Sequence, residues 1–147
     1  MATTHIRGFW ILAALSLALT GPVIGQEATT VKIRLTVDGK AIEATLLGNA
    51  TAQDFVSLMP MTLTLEDYAS TEKISYLPRK LSTAGAPAGV DPAVGDITYY
   101  TPWGNLAIFY KDAGYADGLV KLGRLDSGVE ALGVRASLKV TIEAGEK

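Results

Sequence analysis

The aromatic run from Gly95 to Tyr110 is the part of this sequence best suited to contacting a ligand. Five of its sixteen residues are aromatic, and Pro102-Trp103-Gly104 forms a turn between two runs typical of strands. Flat aromatic faces bind apolar rings, sugars or proline rings at a modest entropy cost. Because a tryptophan between proline and glycine in a turn is not typical of core packing, we predict that Trp103 contacts a ligand.

Residue types that carry common catalytic mechanisms are scarce. The only histidine, His5, falls in a predicted leader, and the chain has no cysteine. A Ser-His-Asp triad, a histidine base, a thiol nucleophile and histidine or thiolate metal sites are therefore excluded from the mature domain. We predict no catalytic residue, no metal and no cofactor. Most acidic residues lie in turn-like contexts, where carboxylates commonly cap backbone N–H groups; they are Glu66, Asp67, Asp91, Asp96, Asp112, Asp117 and Asp126.

An enzyme with an unfamiliar site is an alternative interpretation. Its proton carrier would be a tyrosine or lysine of shifted pKa, although no spacing demands one. A phosphate site is not indicated, because the glycines of the 82–95 loop lack the order of strand, glycine-rich turn and helix. The residues available to such an enzyme are Arg79, Asp96, Asn105, Tyr110 and Lys121.

The first 25 residues have the pattern of a secretory signal peptide. A short basic lead ending at Arg7 precedes an apolar run from Phe9 to Leu19, and small residues follow. That run is shorter than the roughly 20 residues that a membrane-spanning helix needs. We predict cleavage between Gly25 and Gln26, a single mature domain over 26–147, and a periplasmic or secreted protein. A retained N-terminal anchor is the alternative.

Charge and composition limit the partners of the mature domain. Loss of the leader removes Arg7 and leaves 12 basic and 15 acidic side chains, with no long basic cluster. Nucleic acids and anionic membranes both need clustered Lys and Arg, so we predict neither as a partner, nor stable membrane insertion after cleavage. A small molecule or a peptide is the expected partner. The sequence makes no prediction of oligomeric state.

Two-residue periodicity dominates the mature chain. Alternation over 31–37 and 40–46 is separated by Asp38-Gly39, which predicts a hairpin with a type I′ turn. Helical spacing over 49–60 predicts a first short helix, with its start capped from Asn49 or Thr51. We expect the Asn49-Ala50-Thr51 acceptor sequence to serve capping rather than glycosylation.

The second half continues this pattern around a long loop at 82–95. Strands are predicted on both sides of the Trp103 turn, at 119–125 and at 138–142, with a second short helix over 127–132 that Ser127 and Glu130 are spaced to cap. Alternation places the neighbours Tyr99 and Tyr100 on opposite sides of a strand, and likewise Phe109 and Tyr110. Many short strands with two helices indicate a closed barrel or a compact sandwich.

Two motifs resemble a known family. Leu122 to Leu132 is similar to the strand, turn and short helix near the end of cyclophilins, and Gly95 to Tyr110 resembles the bacterial cyclophilin-like domain proteins. The resemblance covers essentially residues 31–143. It implies a mainly β fold, a closed eight-stranded β-barrel with two short helices.

The chain departs from true cyclophilins at their catalytic motifs. The Phe-His-Arg and Gln-Gly-Gly stretches on which prolyl isomerisation depends in that family are absent. Arg79 is the nearest candidate for a pocket arginine but lies in a different local sequence. We therefore favour binding without catalysis. Peptidyl-prolyl isomerase activity, or another reaction at a non-standard site, is the alternative.

We predict a binding domain without assigned catalysis. Its ligand, a small molecule or peptide, is expected at a barrel mouth formed by residues 76–80, the turn 102–105 and neighbouring strands. The predicted ligand-contacting residues are Tyr76, Arg79, Tyr100, Trp103, Asn105 and Tyr110.

Overall fold

The computed structural model describes Gly21 and residues 29–146. The predicted leader, its cleavage site and His5 lie outside the described residues, except for Gly21. Within the described part of the chain, no helix is long and apolar enough to cross a bilayer.

Eight antiparallel strands close into a barrel, as predicted, and two short strands pair outside it. The strands are β1 (Val31–Val37), β2 (Lys40–Leu46), β3 (Met61–Tyr68), β4 (Glu72–Tyr76), β5 (Gly89–Val90), β6 (Asp96–Tyr100), β7 (Asn105–Phe109), β8 (Ala116–Asp117), β9 (Leu119–Leu125) and β10 (Leu138–Ala144). The barrel order is β1-β10-β3-β4-β7-β6-β9-β2, and β5 pairs with β8. The mainly β, closed-barrel prediction is confirmed.

The first hairpin follows its sequence signal. Val31 to Val37 pairs with Lys40 to Leu46 in continuous register. Asp38 and Gly39 both have positive φ, +48° and +77°. This is the backbone that a type I′ turn requires, and it explains why Asp-Gly occurs here.

The two predicted helices differ in type. Helix α1 (Ala50–Val56) begins after Asn49, whose Oδ1 accepts a hydrogen bond from the Ala52 N–H at 2.8 Å. The second is a 3₁₀ helix, Val129–Leu132, preceded by Gly128 with no side-chain cap. The Ser127 and Glu130 capping prediction is therefore wrong, because Gly128 in the left-handed region takes the capping position.

Apolar side chains fill the barrel interior. They come from seven of the eight barrel strands, with Phe55 and Leu132 added from the two helices. The exception is β4, whose buried inward residue is the polar Lys73. Tyr99 belongs to this core, and its hydroxyl accepts a hydrogen bond from the Leu81 N–H at 3.1 Å. The barrel is thus a packed core rather than a lumen for ligands.

A second apolar cluster lies on the outside of the barrel wall. Ala107, Phe109 and Leu119 are buried there, and side chains from the β5–β8 ribbon pack against them. The ribbon therefore covers part of the wall formed by β4, β7, β6 and β9. The edge of that cover is where a groove opens.

Candidate functional site

An aromatic groove of about 190 Å³ lies on the outer barrel wall. We use the name aromatic groove for the space lined by Tyr68, Glu72, Tyr100, Trp103, Phe109, Ala116 and Leu119. Phe109 and Leu119 are its buried floor, and Trp103 is 46% exposed at its side. The site is a surface groove, beside a packed barrel.

Three aromatic rings meet in this groove. The Trp103 ring lies 5.6 Å from Tyr68 at an interplanar angle of 85°, and 5.4 Å from Tyr100 at 79°. Such edge-to-face pairs orient neighbouring rings by their quadrupoles, with about 0.5–1.5 kcal/mol for each pair. Trp103 is therefore held between two tyrosines while nearly half of its surface stays open to solvent.

The turn that carries Trp103 is fixed by its backbone. The Thr101 N–H donates to the Gly118 carbonyl and the Gly104 N–H donates to the Tyr100 carbonyl, both at 2.8 Å. Gly118 has φ +80°, and a Cβ there would lie 2.8 Å from the Pro102 ring. Glycine at 118 thus allows the proline to pack directly on the start of β9, which positions the neighbouring tryptophan.

Glu72 supplies the only charged side chain among the groove residues. It lies opposite Tyr68 in β3 and opposite Phe109 in β7. Burial raises the pKa of its carboxyl. Over residues 29–146, no ion pair or side-chain hydrogen bond involves this carboxylate. A partly buried carboxylate without a cationic partner therefore faces the aromatic groove.

The turn between β3 and β4 brings Tyr68 beside Glu72. Ala69 and Ser70 both have φ +52°, in the left-handed region that residues other than glycine rarely adopt. The Thr71 N–H closes the turn on the Tyr68 carbonyl at 3.0 Å. Because the sequence Ala-Ser lacks the usual Asn-Gly signal, sequence reasoning missed this hairpin and both groove residues that it positions.

The structure brings only two of the predicted ligand-contacting residues together. Tyr100 and Trp103 line the aromatic groove. Tyr76, although 66% exposed, is not among the residues that line it. Asn105 is buried, donates from Nδ2 to the Leu106 carbonyl at 3.1 Å, and has no described partner for Oδ1.

Arg79 is engaged with helix α1 instead of the groove. Its guanidinium donates to both Asp54 carboxylate oxygens, at 2.9 and 2.7 Å, and to the Ser57 hydroxyl at 2.9 Å. The hydrogen bonds from Arg79 hold the pKa of the Asp54 carboxyl well below its usual range, with help from the Ser82 N–H. The arginine thus fastens the segment after β4 to the helix.

Tyr110 belongs to a polar cluster at the inner face of β4, away from the aromatic groove. Its hydroxyl donates to Asp67 Oδ1 at 2.5 Å, and burial together with this bond raises the pKa of Tyr110 to about 12. Lys73 is fully buried beside it. The Lys73 Nζ lies 3.4 Å from Asp67 Oδ1 and donates to the Val134 and Ala136 carbonyls, the latter at 2.9 Å.

A second cavity, of about 180 Å³, lies under the 84–90 loop. Its lining includes Leu47, Asn49 and Lys121, and Leu119 borders both this cavity and the aromatic groove. Lys121 Nζ is 3.2 Å from Oδ1 of the buried Asp96. Asp96 Oδ1 accepts no hydrogen bond in the described structure, so its contact with Lys121 is an ion pair that lacks hydrogen-bond geometry.

Two further acidic residues from the turn-like contexts, Asp96 and Asp126, have different roles. Asp96 caps a turn as predicted, accepting from the Ala93 N–H at 2.9 Å. Asp126 instead accepts from the Thr45 hydroxyl at 2.6 Å and pairs with Lys32. Among the residues that the structure describes, no group of three or more His, Cys, Asp or Glu is arranged to hold a metal.

Comparisons with known proteins agree with this architecture. A model described as the cyclophilin-like family matches residues 35–143. Among solved structures, the hypothetical protein AF2241 from Archaeoglobus fulgidus superposes with a TM-score of 0.62 at 17% identity, over 83% of this chain and 100% of that chain. At that identity the likeness carries the fold alone. A comparison with curated proteins gives no match.

Proposed function

The chain belongs to the cyclophilin-like family, and on this barrel we propose a binding domain whose ligand, a small molecule or a peptide side chain, occupies the aromatic groove. The observation that carries the proposal is the half-exposed Trp103, fixed between Tyr68 and Tyr100 over a buried apolar floor. A ring that is preorganised yet open to solvent can bury area on a ligand with little loss of side-chain entropy.

The size of the groove favours a small ligand or one projecting side chain. Sites for drug-sized ligands measure about 300–1,000 Å³. The aromatic groove, at about 190 Å³, suits a single ring or head group. A larger ligand would place only part of itself there.

Trp103 fluorescence tests this proposal. The full-length chain carrying Trp10→Phe has Trp103 as its sole tryptophan. We expect at least one compound in a screen of metabolites and short peptides to shift its emission saturably. Tyr100→Ala should weaken that response, whereas Tyr115→Ala, an exposed tyrosine outside the groove, should preserve it.

The proposal fails if Trp103 is a packing residue. In that case no compound changes the emission, and Trp103→Ala lowers the free energy of unfolding by several kcal/mol, as truncation of a buried tryptophan does, by about 3–5 kcal/mol.

Catalysis is not part of the proposed function. Arg79, the nearest candidate for an isomerase arginine, is paired with Asp54 and is not among the groove residues. A proline-containing peptide assay on the full-length chain should give only the uncatalysed rate. Turnover well above that rate, abolished by Arg79→Ala, would overturn this view.

We also propose export to the periplasm or medium, on the strength of the N-terminal sequence pattern. The protein recovered from its host should begin at Gln26 when its N-terminus is sequenced. A chain that retains residues 1–25 would contradict the proposed cleavage and favour an N-terminal anchor.

A further inference from the structure

The charge of the aromatic groove is unusual for an apolar ligand site. Among its lining residues only Glu72 is charged, and no lysine or arginine is among them. A carboxylate that is partly removed from water and lacks a cationic partner carries an uncompensated desolvation cost. A positively charged ligand would offset that cost, whereas a neutral one would leave it in place.

The aromatic residues beside Glu72 favour the same sign of charge. The rings of Tyr68 and Tyr100 each stand roughly perpendicular to the Trp103 ring, and all three residues line the groove. Ring faces carry negative quadrupole potential and attract cations within about 6 Å, most strongly for tryptophan. The register places Tyr68 directly opposite Glu72, so the carboxylate and an aromatic ring border the same end of the groove.

From these positions we propose that the groove binds an organic ammonium group, with Trp103 and the two tyrosines around the cation and Glu72 as its counter-charge. This inference rests on the proposed binding function and names its ligand class. A methylated ammonium fits better than a primary amine, because it needs no hydrogen-bond acceptors for N–H groups and Glu72 is the only carboxylate present.

The volume of the groove agrees with a head group of this kind. A space of about 190 Å³ holds a compact trialkylammonium group with a short chain attached, and the opening beside Trp103 gives the rest of the molecule a path to solvent. The ligand class is therefore a choline-like molecule or a methylated lysine side chain, which share this head group.

A matched pair of probes separates charge from shape. Choline and 3,3-dimethylbutan-1-ol have the same branched outline, but only choline is charged. Titration into the full-length chain carrying Trp10→Phe, followed by Trp103 fluorescence, should give at least tenfold tighter binding of choline. A trimethyllysine peptide and its unmodified lysine counterpart extend the comparison to side chains.

Glu72→Gln should remove most of the preference for choline, because it keeps the shape of the side chain and removes the charge. Glu66→Gln is the control, since Glu66 is an exposed carboxylate on β3 outside the groove lining. Near-UV circular dichroism and thermal melting establish that both variants are folded.

Three results would overturn the inference. Equal affinity for the two probes, unchanged by Glu72→Gln, contradicts a cation site but leaves the proposed binding function standing. Equal losses in Glu72→Gln and Glu66→Gln indicate a general field effect rather than a specific counter-charge. If neither probe nor peptide changes the emission, the ammonium class is wrong, and the screen of other compounds decides the binding function separately.

Discussion

Glu72 and Lys73 are neighbours in β4, yet the barrel gives them opposite environments. Lys73 points inward, is fully buried, and has Asp67 and two backbone carbonyls as partners. Glu72 points outward into the aromatic groove, and the described structure gives its carboxylate no such partner. One strand therefore carries a satisfied charge on one face and an unsatisfied charge on the other.

The difference separates a structural role from a binding role. A buried charge whose partners are all internal ties segments of the chain together, as Lys73 ties β4 to the 134–136 segment. A partly buried charge without internal partners is stabilised only when something from outside supplies them. Lys73 is the more buried of the two residues, but its charge has internal partners. Glu72 is the better candidate for a binding role because its charge has none in the described structure.

The aromatic residues repeat this division. Tyr99 lies in the core, while Tyr100 lies on the outer wall. Phe109 is likewise part of the outer cluster, and Tyr110 packs against the core. In each pair the inner residue completes the barrel and the outer residue contributes to the groove or its floor.

The largest expected effect is on the inner face of β4. Lys73→Ala leaves Asp67 without its ion pair and two carbonyls without their donor, so we expect a loss of about 3–5 kcal/mol in the free energy of unfolding. Glu72→Gln should change it by less than about 1 kcal/mol, since no internal partner is lost. Urea denaturation of both variants measures the difference, and similar losses would break the comparison.

Truncation of the neighbouring tyrosines should show the same asymmetry. Tyr99→Ala empties a fully buried position and leaves the Leu81 N–H unpaired, for which we expect about 3–5 kcal/mol. Tyr100→Ala removes a partly exposed ring and should cost less than about 2 kcal/mol. Thermal or urea unfolding checks this, and a greater loss at Tyr100 would assign that ring to packing.

The two carboxyls on either side of the β3–β4 turn, those of Asp67 and Glu72, should have pKa values shifted in opposite directions. The hydrogen bond from Tyr110 lowers the pKa of Asp67, with Lys73 contributing, whereas burial raises the pKa of Glu72 between Tyr68 and Phe109. Asp67 therefore contributes stability above its unfolded pKa, and this is lost as pH falls through its folded pKa. Glu72 contributes below its unfolded pKa, and this is lost as pH rises through its folded pKa.

Carbon-detected NMR of the side-chain carboxyls measures both titrations. The unperturbed pKa is about 4.3 for a glutamate and about 3.9 for an aspartate. The pKa of Glu72 should lie above the glutamate value, and that of Asp67 below the aspartate value. An unshifted pKa of Glu72 would mean that the groove is well hydrated. Its carboxylate would then gain no stabilisation from a cation through relief of a desolvation cost.

The smallest expected effect concerns the turn between β3 and β4. Ser70→Gly relieves a left-handed backbone of φ +52° that serine adopts at a cost of about 1 kcal/mol. We expect a gain in stability of that size or less, measured by thermal unfolding. A loss would show that the serine side chain makes a contact that offsets its backbone strain.

Sequence patterns predict the strands and the first hairpin because their signals are local, whereas the choice of a closed barrel over a sandwich comes from the resemblance to the cyclophilin-like family. Asp38-Gly39 marks a type I′ turn, and alternation places Tyr99 and Tyr100 on opposite faces without reference to the rest of the fold. The groove depends on contacts between residues distant in sequence. Tyr68 and Glu72 reach Trp103 only through the pairing of β3, β4 and β7, which no local pattern specifies.

The predicted site residues differ in how well local sequence predicts their positions. Aromatic density beside a turn predicts Trp103 and Tyr100 as ligand contacts, and both line the groove. Arg79 is the nearest candidate for a pocket arginine in the sequence, but its partner Asp54 lies 25 positions earlier in the chain. A side chain's partners, which decide between a structural and a binding role, are set by tertiary packing.

The most direct test of this account is a ¹H–¹⁵N NMR titration of the full-length chain with choline. We predict that the Trp103 indole N–H and the backbone amides of Tyr68, Glu72 and Phe109 shift together and saturably, while the amides of β1, which lies across the barrel from β7 in the strand order, stay unchanged. Shifts confined to the 84–90 loop and Lys121, or no saturable shift at all, would contradict the assignment of binding to the aromatic groove.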